Sequence, residues 1–203
     1  MKDRAGPKSR REFLGVALVA AAGVAVPVRE ARGQGKARAT PACGESGGLT
    51  PPQTEGPYFT PKSPLRASLV EPGMGGTRLV VEGVVLSIAC TPIPGALIDF
   101  WQADDRGEYD NSGYRLRGHQ VTDGRGRYRL VTIVPGVYPG RTRHIHVKVA
   151  APNRPALTTQ LYFPDEPGNR RDGIFAPELV MKLGDRQEGK LGTFDFVLDA
   201  RAG

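Results

Sequence analysis

From Arg78 onward the chain runs in short apolar stretches punctuated by Gly, Pro and Asp. Residues 78–89 contain Leu-Val-Val-Glu-Gly-Val-Val-Leu-Ser-Ile, rich in the β-branched residues that favour strands. Residues 95–103, Gly-Ala-Leu-Ile-Asp-Phe-Trp-Gln-Ala, predict a second strand, with Asp99 and Trp101 on one face and Ile98 and Phe100 on the other. Residues 117–122 and 127–134 read as a strand pair joined at the turn dipeptide Asp123-Gly124. Residues 143–150, 157–163 and 192–198 bring the expectation to at least seven strands. One short helix is expected near residues 176–183, after a polar loop at 164–175. Short strands at regular spacing predict an all-β fold, an antiparallel β-sandwich with long loops. Residues 40–77 are rich in Pro, Gly and Thr and lack periodicity, so they are expected to form an irregular N-terminal segment packed on the core. The expected organisation is thus residues 1–39, the irregular segment 40–77, and a sandwich domain 78–203.

Composition changes the picture at the N-terminus. Ser9-Arg10-Arg11-Glu12-Phe13-Leu14 is a twin-arginine pattern, followed by an Ala/Gly/Val-rich run too short for a comfortable membrane span. Residues 1–39 are read as a twin-arginine export signal, implying the translocation machinery as a partner and a periplasmic or secreted destination. They hold nine Lys/Arg against three Asp/Glu, whereas the rest of the chain holds 19 against 18, a net of +1. The basic total charge therefore reflects the leader and excludes a nucleic-acid-binding reading from charge. An oxidising destination would let Cys43 and Cys90 pair, although two buried thiols fit the sequence as well.

The candidate chemistry lies in one strand and the turn that feeds it. Two of the three histidines occur in His144-Ile145-His146-Val147-Lys148-Val149, which alternates polar and apolar. Side chains two apart on a strand leave the same face about 6.5–7 Å apart, so His144 and His146 point together. No Asp, Glu or Cys stands nearby at ligand spacing, but Tyr138 does. A phenolate with two imidazoles suits a hard trivalent ion such as Fe(III) better than Zn²⁺. The same residues also fit an exposed strand face and an ordinary turn tyrosine.

A wider set of motifs resembles the intradiol ring-cleavage dioxygenases, the catechol and protocatechuate dioxygenase family. It includes Gln-Thr-Glu-Gly-Pro-Tyr, Pro-Gly-Ala-Leu-Ile-Asp-Phe-Trp-Gln-Ala, Gly-Glu-Tyr, Arg-Gly-His-Gln-Val-Thr-Asp, Pro-Gly-Val-Tyr-Pro, Arg-Thr-Arg-His-Ile-His and Thr-Gln-Leu-Tyr-Phe, in that order across residues 50–163. The resemblance implies non-haem Fe(III) held by Tyr109, Tyr138, His144 and His146. It implies catalytic roles for Arg141, Gln160 and Tyr138, the last displaced when substrate binds, and a substrate wall from Gly56, Pro57 and Tyr58. Gln160 would donate to an oxygen intermediate, and Arg143 competes with Arg141 for the cationic role. The implied reaction is intradiol cleavage of a catechol by O₂ to a muconate-type diacid, in a homo-oligomer. Asp99, Trp101, His119 and Tyr162 are assigned structural roles. Glu55, in the loop that would line the pocket, implies a preference for a neutral catechol.

Two features depart from the family. Only five residues separate Tyr138 from His144, and the export signal differs from cytoplasmic members. A transthyretin-like binding module shares the framework motifs but would not need both tyrosines, both histidines, Arg141 and Gln160. A zinc hydrolase lacks a third histidine or carboxylate at ligand spacing.

Overall fold

The computed structural model describes Cys43 and residues 48–200; the twin-arginine segment lies outside the described residues. Among the described residues nine strands form two sheets. They are β1 (Arg78–Ser87), β2 (Leu97–Trp101), β3 (Arg117–Val121), β4 (Arg127–Ile133), β5 (His144–Ala150), β6 (Leu157–Tyr162), β7 (Lys182–Arg186), β8 (Gly189–Thr193) and β9 (Phe196–Leu198). The first sheet has the order β3-β2-β5-β6 and is antiparallel throughout. The second has the order β4-β1-β8-β7, and β9 also pairs with β1. There β8 and β9 run parallel to β1, a local departure within the expected sandwich.

The core between the sheets follows the alternation read from the sequence. Ile98, Phe100, Ile145, Val147, Val149 and Leu161 point inward from the first sheet and are fully buried. Leu79, Val81, Val85, Leu130 and Phe196 meet them from the second. Burying each such side chain stabilises by about 1.5–3 kcal/mol, before conformational entropy is subtracted.

Three expectations are corrected. Residues 117–122 and 127–134 are not a hairpin pair, because β3 pairs with β2 and β4 pairs with β1. The Asp123 turn does form, with Gly126 N–H bonded to the Asp123 carbonyl at 2.9 Å. It passes the chain between sheets because Thr122 is tied to β2's entrance through Ala96 and Ile93. Residues 176–183 form one 3₁₀ turn, Pro177–Leu179, followed by β7. Their apolar residues have period two, with Leu179 and Met181 buried, and Met181 N–H bonds the Tyr162 carbonyl. Residues 192–198 are two strands, broken where the Asp195 carboxylate accepts the Val84 N–H at 2.8 Å.

The outer face of the first sheet is not left to solvent. Cross-strand register places Arg117, Trp101, His146 and Gln160 in one transverse row, with His144 opposite Tyr162 in the next. Residues 50–66 cover this face. Gln53 N–H bonds Thr158, Phe59 packs edge-on against Trp101 at 4.9 Å, and Ser63 bonds Asp99 at 2.8 Å. Cys43 and Cys90 are joined by a disulfide, fastening this segment to the turn after β1.

Candidate functional site

Strand β5 carries His144 and His146 on the covered face, with Nε2 atoms 3.1 Å apart. His144 Nδ1 lies 2.7 Å from the Thr142 carbonyl, which can only accept, so Nδ1 carries the proton and Nε2 presents a lone pair. Both rings are buried. Burial, reinforced by Arg141, brings the His144 pKa down to about 4 against a partial counter-effect from the Thr142 carbonyl. Burial, then His144 and Arg141, hold His146 well below its ordinary value. Both imidazoles are therefore neutral bases at pH 7. The Trp101 ring stacks on His146 at 4.8 Å and 9°, so this residue fixes the ring plane.

Tyr109 comes from the β2–β3 connection, and its hydroxyl lies 3.3 Å from His144 Nε2. Burial raises its pKa, an effect that a nearby cation would reverse. Among the described residues no group of three or more His, Cys, Asp or Glu side chains converges. The third donor beside the histidine pair is thus a phenol oxygen. Two neutral imidazole nitrogens and a phenol oxygen brought this close fit a hard, multiply charged cation.

Tyr138 stands at the edge of this cluster. Its hydroxyl pairs with that of Tyr58 at 2.8 Å, and its ring centroid is 6.0 Å from that of Tyr109. Tyr58 in turn stacks on Tyr109 at 4.4 Å and 12°. Of the expected substrate wall, Gly56 sits over His146, where a Cβ would stand 3.4 Å from Cε1. Tyr58 joins the tyrosine cluster, and Pro57 between them is exposed.

The tyrosine loops are held together by backbone. Asp104 accepts N–H groups from Arg106 and Glu108 on its carboxylate, and from Gly107 and Gly136 on its carbonyl. Gly136 precedes Tyr138 in the β4–β5 connection, so Asp104 ties the two loops to each other.

Arg141 and Gln160 meet as the sequence analysis grouped them. Arg141 Nη2 donates to Gln160 Oε1 at 2.6 Å, and its Nε donates to Asp172 at 2.9 Å. Gln160 is fully buried, and its amide nitrogen donates to the Thr54 carbonyl at 2.9 Å. One of the two amide hydrogens expected for an oxygen intermediate is therefore already used. Arg143 points elsewhere, bonding Glu166 at 2.7 Å and the Pro135 carbonyl. Between the two arginines, only Arg141 reaches Gln160.

Sequence reasoning missed three participants and misplaced one. Tyr162 bonds Gln160 at 3.0 Å and Arg141 at 3.4 Å, making it part of the polar network. Buried Arg117 donates to the carbonyls of Asp110 and Tyr58, bracing the chain beside Tyr109. Asp172 lay unassigned in the polar loop. Arg117 and Tyr162 fell inside quoted motifs, and their outward register beside the histidines was the available signal. Glu55 does not line the site as a free carboxylate. It is ion-paired with Lys148, whose ammonium lies 4.4 Å above the Phe59 ring. That removes the basis for a neutral-substrate preference. His119 bonds Ser63 at 3.2 Å, away from the histidine pair.

Residues 54–200 match a family model described as Dioxygenase. The chain is 34% identical over 155 residues to the protocatechuate 3,4-dioxygenase beta chain of Burkholderia cepacia, covering 62% of this chain and 66% of that protein. It is 32% identical over 173 residues to hydroxyquinol 1,2-dioxygenase of Rhizobium sp. (strain MTP-10005), covering 72% and 55%. The chain spans about half to two thirds of the length of the curated relatives it matches first. Among solved structures it resembles the dioxygenase domain of a dioxygenase carbohydrate-binding protein fusion from the cellulolytic bacterium Streptomyces sp. SirexAA-E. That likeness has a TM-score of 0.75 and 56% identity, covering 76% of this chain and all of that one. The matched span contains every residue of the cluster from Gly56 to Asp172, and the chain belongs to the intradiol ring-cleavage dioxygenase family.

Proposed function

We propose that this protein is a non-haem Fe(III) dioxygenase that cleaves a catechol-type ring between its two hydroxyl-bearing carbons, consuming O₂ and yielding a muconate-type diacid. The observation that carries this reading is the convergence of His144 Nε2, His146 Nε2 and Tyr109 Oη within 3.1–3.3 Å steps. His144, His146, Tyr109 and Tyr138 would hold the ion. Fe(III), when bound, would draw electron density from the diol so that a ring carbon can react with O₂.

The chain's own residues supply binding, proton handling and charge. Tyr138 Oη is suited to hold a proton from a substrate hydroxyl, because its partner Tyr58 Oη can donate to or accept from it. Tyr58 and Tyr109 form a stacked aromatic wall against which a planar ring can lie. Arg141, permanently cationic, would stabilise negative charge on the reacting carbon. Gln160 keeps its carbonyl toward Arg141 and so fixes that charge.

Twin-arginine export is part of the proposal. It is supported by Arg10-Arg11 and by the Cys43–Cys90 bridge, which suits an oxidising compartment. A homo-oligomeric assembly is proposed from the family.

The test is product analysis after iron loading, with a panel of catechol, hydroxyquinol and protocatechuate under isotopic O₂. Both oxygen atoms should enter one intradiol diacid, and the protein should show a visible phenolate-to-iron absorption. Tyr109→Phe should weaken that absorption and iron retention. A semialdehyde product, or no turnover by a coloured, iron-replete protein across the panel, would overturn the assignment in favour of another mechanism or a binding module.

A further inference from the structure

The residues leading into β5 are fastened, one after another, to the loop that follows β6. Arg141 Nε donates to Asp172 Oδ2 at 2.9 Å, Thr142 Oγ1 donates to Asn169 Oδ1 at 2.7 Å, and Arg143 Nε donates to Glu166 Oε1 at 2.7 Å. The two segments touch closely, since a Cβ at Gly168 would stand 2.9 Å from Thr142 Oγ1. Within this clasp Asp172 differs from its neighbours. Its side chain is only 2% exposed, against 22% for that of Glu166. Its Oδ2 also accepts the Thr142 N–H at 2.9 Å, and its Oδ1 accepts the Ile174 N–H at 3.1 Å.

We propose that Asp172 is the positioning residue for Arg141: it fixes one edge of the guanidinium so that the opposite edge faces Gln160 and the site. The role rests on the function proposed above for Arg141. The geometry follows from the planar fork of the guanidinium. Asp172 takes Nε, Gln160 takes Nη2 at 2.6 Å, and Nη1 makes no hydrogen bond to the described residues. Gln160 and Tyr162 are neutral partners for this cation, and Asp172 is the carboxylate that pairs with it. Without that charge a long side chain, 19% exposed in the present structure, can turn toward solvent. With it, the cation is already oriented before substrate arrives, and no reorganisation is needed during reaction. Asp172 is itself held by the backbone N–H groups of Thr142 and Ile174, so its position is set by backbone on both sides of the clasp.

The test uses the full chain and the isosteric variant Asp172→Asn, loaded with diamagnetic Ga(III) for the resonance and with Fe(III) for the kinetics. Two readouts are taken. In the first, the Arg141 Nε–H resonance is identified by its loss in Arg141→Lys, and its hydrogen exchange is measured. The resonance should be protected in the parent protein and lost in Asp172→Asn, while the Arg143 Nε–H held by Glu166 persists and reports an intact clasp. In the second, kcat for catechol should fall ~10–100-fold, with iron content and visible absorption retained. In an Arg141→Ala background the same substitution should cost less than ~2-fold, because its effect passes through Arg141. A merely structural role would give additive losses. An unchanged Arg141 resonance in Asp172→Asn, or additivity in the cycle, would overturn the proposal. If Asp172→Asn does not fold, Asp172→Glu, which keeps the charge but displaces it, replaces it in both arms. Loss of the Arg141 resonance in a protein that cleaves no catechol would uphold the positioning and reject the ring-cleavage reading instead.

Discussion

Gly107 and Gly136 offer the sharpest test of how the two tyrosine loops are joined. A Cβ at Gly107 would lie 2.3 Å from the Val137 carbonyl oxygen, and one at Gly136 would lie 2.3 Å from Gly107 N. Both obstacles are backbone and cannot rotate away. Overpacking of this kind costs about 1–3 kcal/mol. Gly107 also sits at φ +87°, a left-handed conformation that costs an L-residue about 1–2 kcal/mol. Gly136 has no positive φ. Gly136→Ala should therefore lose about 1–3 kcal/mol and Gly107→Ala about 2–5 kcal/mol. Against a typical domain stability of about 5–15 kcal/mol, both variants should still fold. Urea unfolding followed by far-ultraviolet circular dichroism, with the disulfide intact, measures both. The m-value should hold while the midpoint falls. A visible absorption weaker than the parent's at equal iron would show that the tyrosines have separated. Losses under about 0.5 kcal/mol in both variants would mean that the loops are not sutured here. A Gly107→Ala loss under about 2 kcal/mol would refute the sum of clash and backbone terms.

Other consequences are read more directly. Backbone N–H of Arg127, its side chain and the N–H of Arg125 hold the Asp123 carboxyl down to about 2, and a depressed folded-state pKa stabilises above the unfolded value of about 3.9. Asp123→Asn should thus be less stable than the parent at neutral pH, and denaturation midpoints should converge as pH falls from about 4 to about 2. Reducing the Cys43–Cys90 bridge, which spans 47 residues, should cost about 4 kcal/mol by chain entropy, measured as the urea midpoint with and without reductant. Replacing Arg10 and Arg11 with Lys should leave the protein in the cytoplasm; unchanged periplasmic delivery would reject the export reading.

What the sequence disclosed was local, and what it concealed was long-range. His144 and His146 share a face because a strand alternates, and that needs no partner strand to be seen. Their row with Trp101, Arg117 and Gln160 depends on register across four strands, which no single stretch encodes. Asp172 was hidden for the same reason, since nothing in a polar loop states which arginine it will meet. The Asp123 turn was visible, but a turn dipeptide does not say whether its flanks join one sheet or two. Residues 176–183 were misread because Leu179, Met181 and Leu183 at period two sit in too short a run to be told from one helical turn. Glu55 was given a role in the pocket because the resemblance assigns one to its neighbours Gly56 and Tyr58. Its charge is instead taken by Lys148, one row further along β5.

The crossing at Asp123 bears on the site itself. His144 and His146 lie on β5, and Tyr109 lies on the connection from β2 to β3, so two of the four proposed ligands are on the first sheet and a third is on a loop between two of its strands. Tyr138 follows β4, which belongs to the second. The chain must leave the first sheet at Asp123, pair with β1 and return before Tyr138 can reach the edge of the cluster. On that return its position is set by Asp104 and the Gly107–Gly136 contact rather than by a strand ladder. Tyr109 is pressed against the sheet under Tyr58, whereas the Tyr138 hydroxyl meets another hydroxyl, a partner that can accept or donate. Under the proposed function Tyr109 would stay on the ion and Tyr138 would yield to substrate, roles that suit these two kinds of support. Both tyrosines stand on connections, but Tyr109 is packed beneath a second ring, whereas Tyr138 is carried back by the loop that returns from the other sheet.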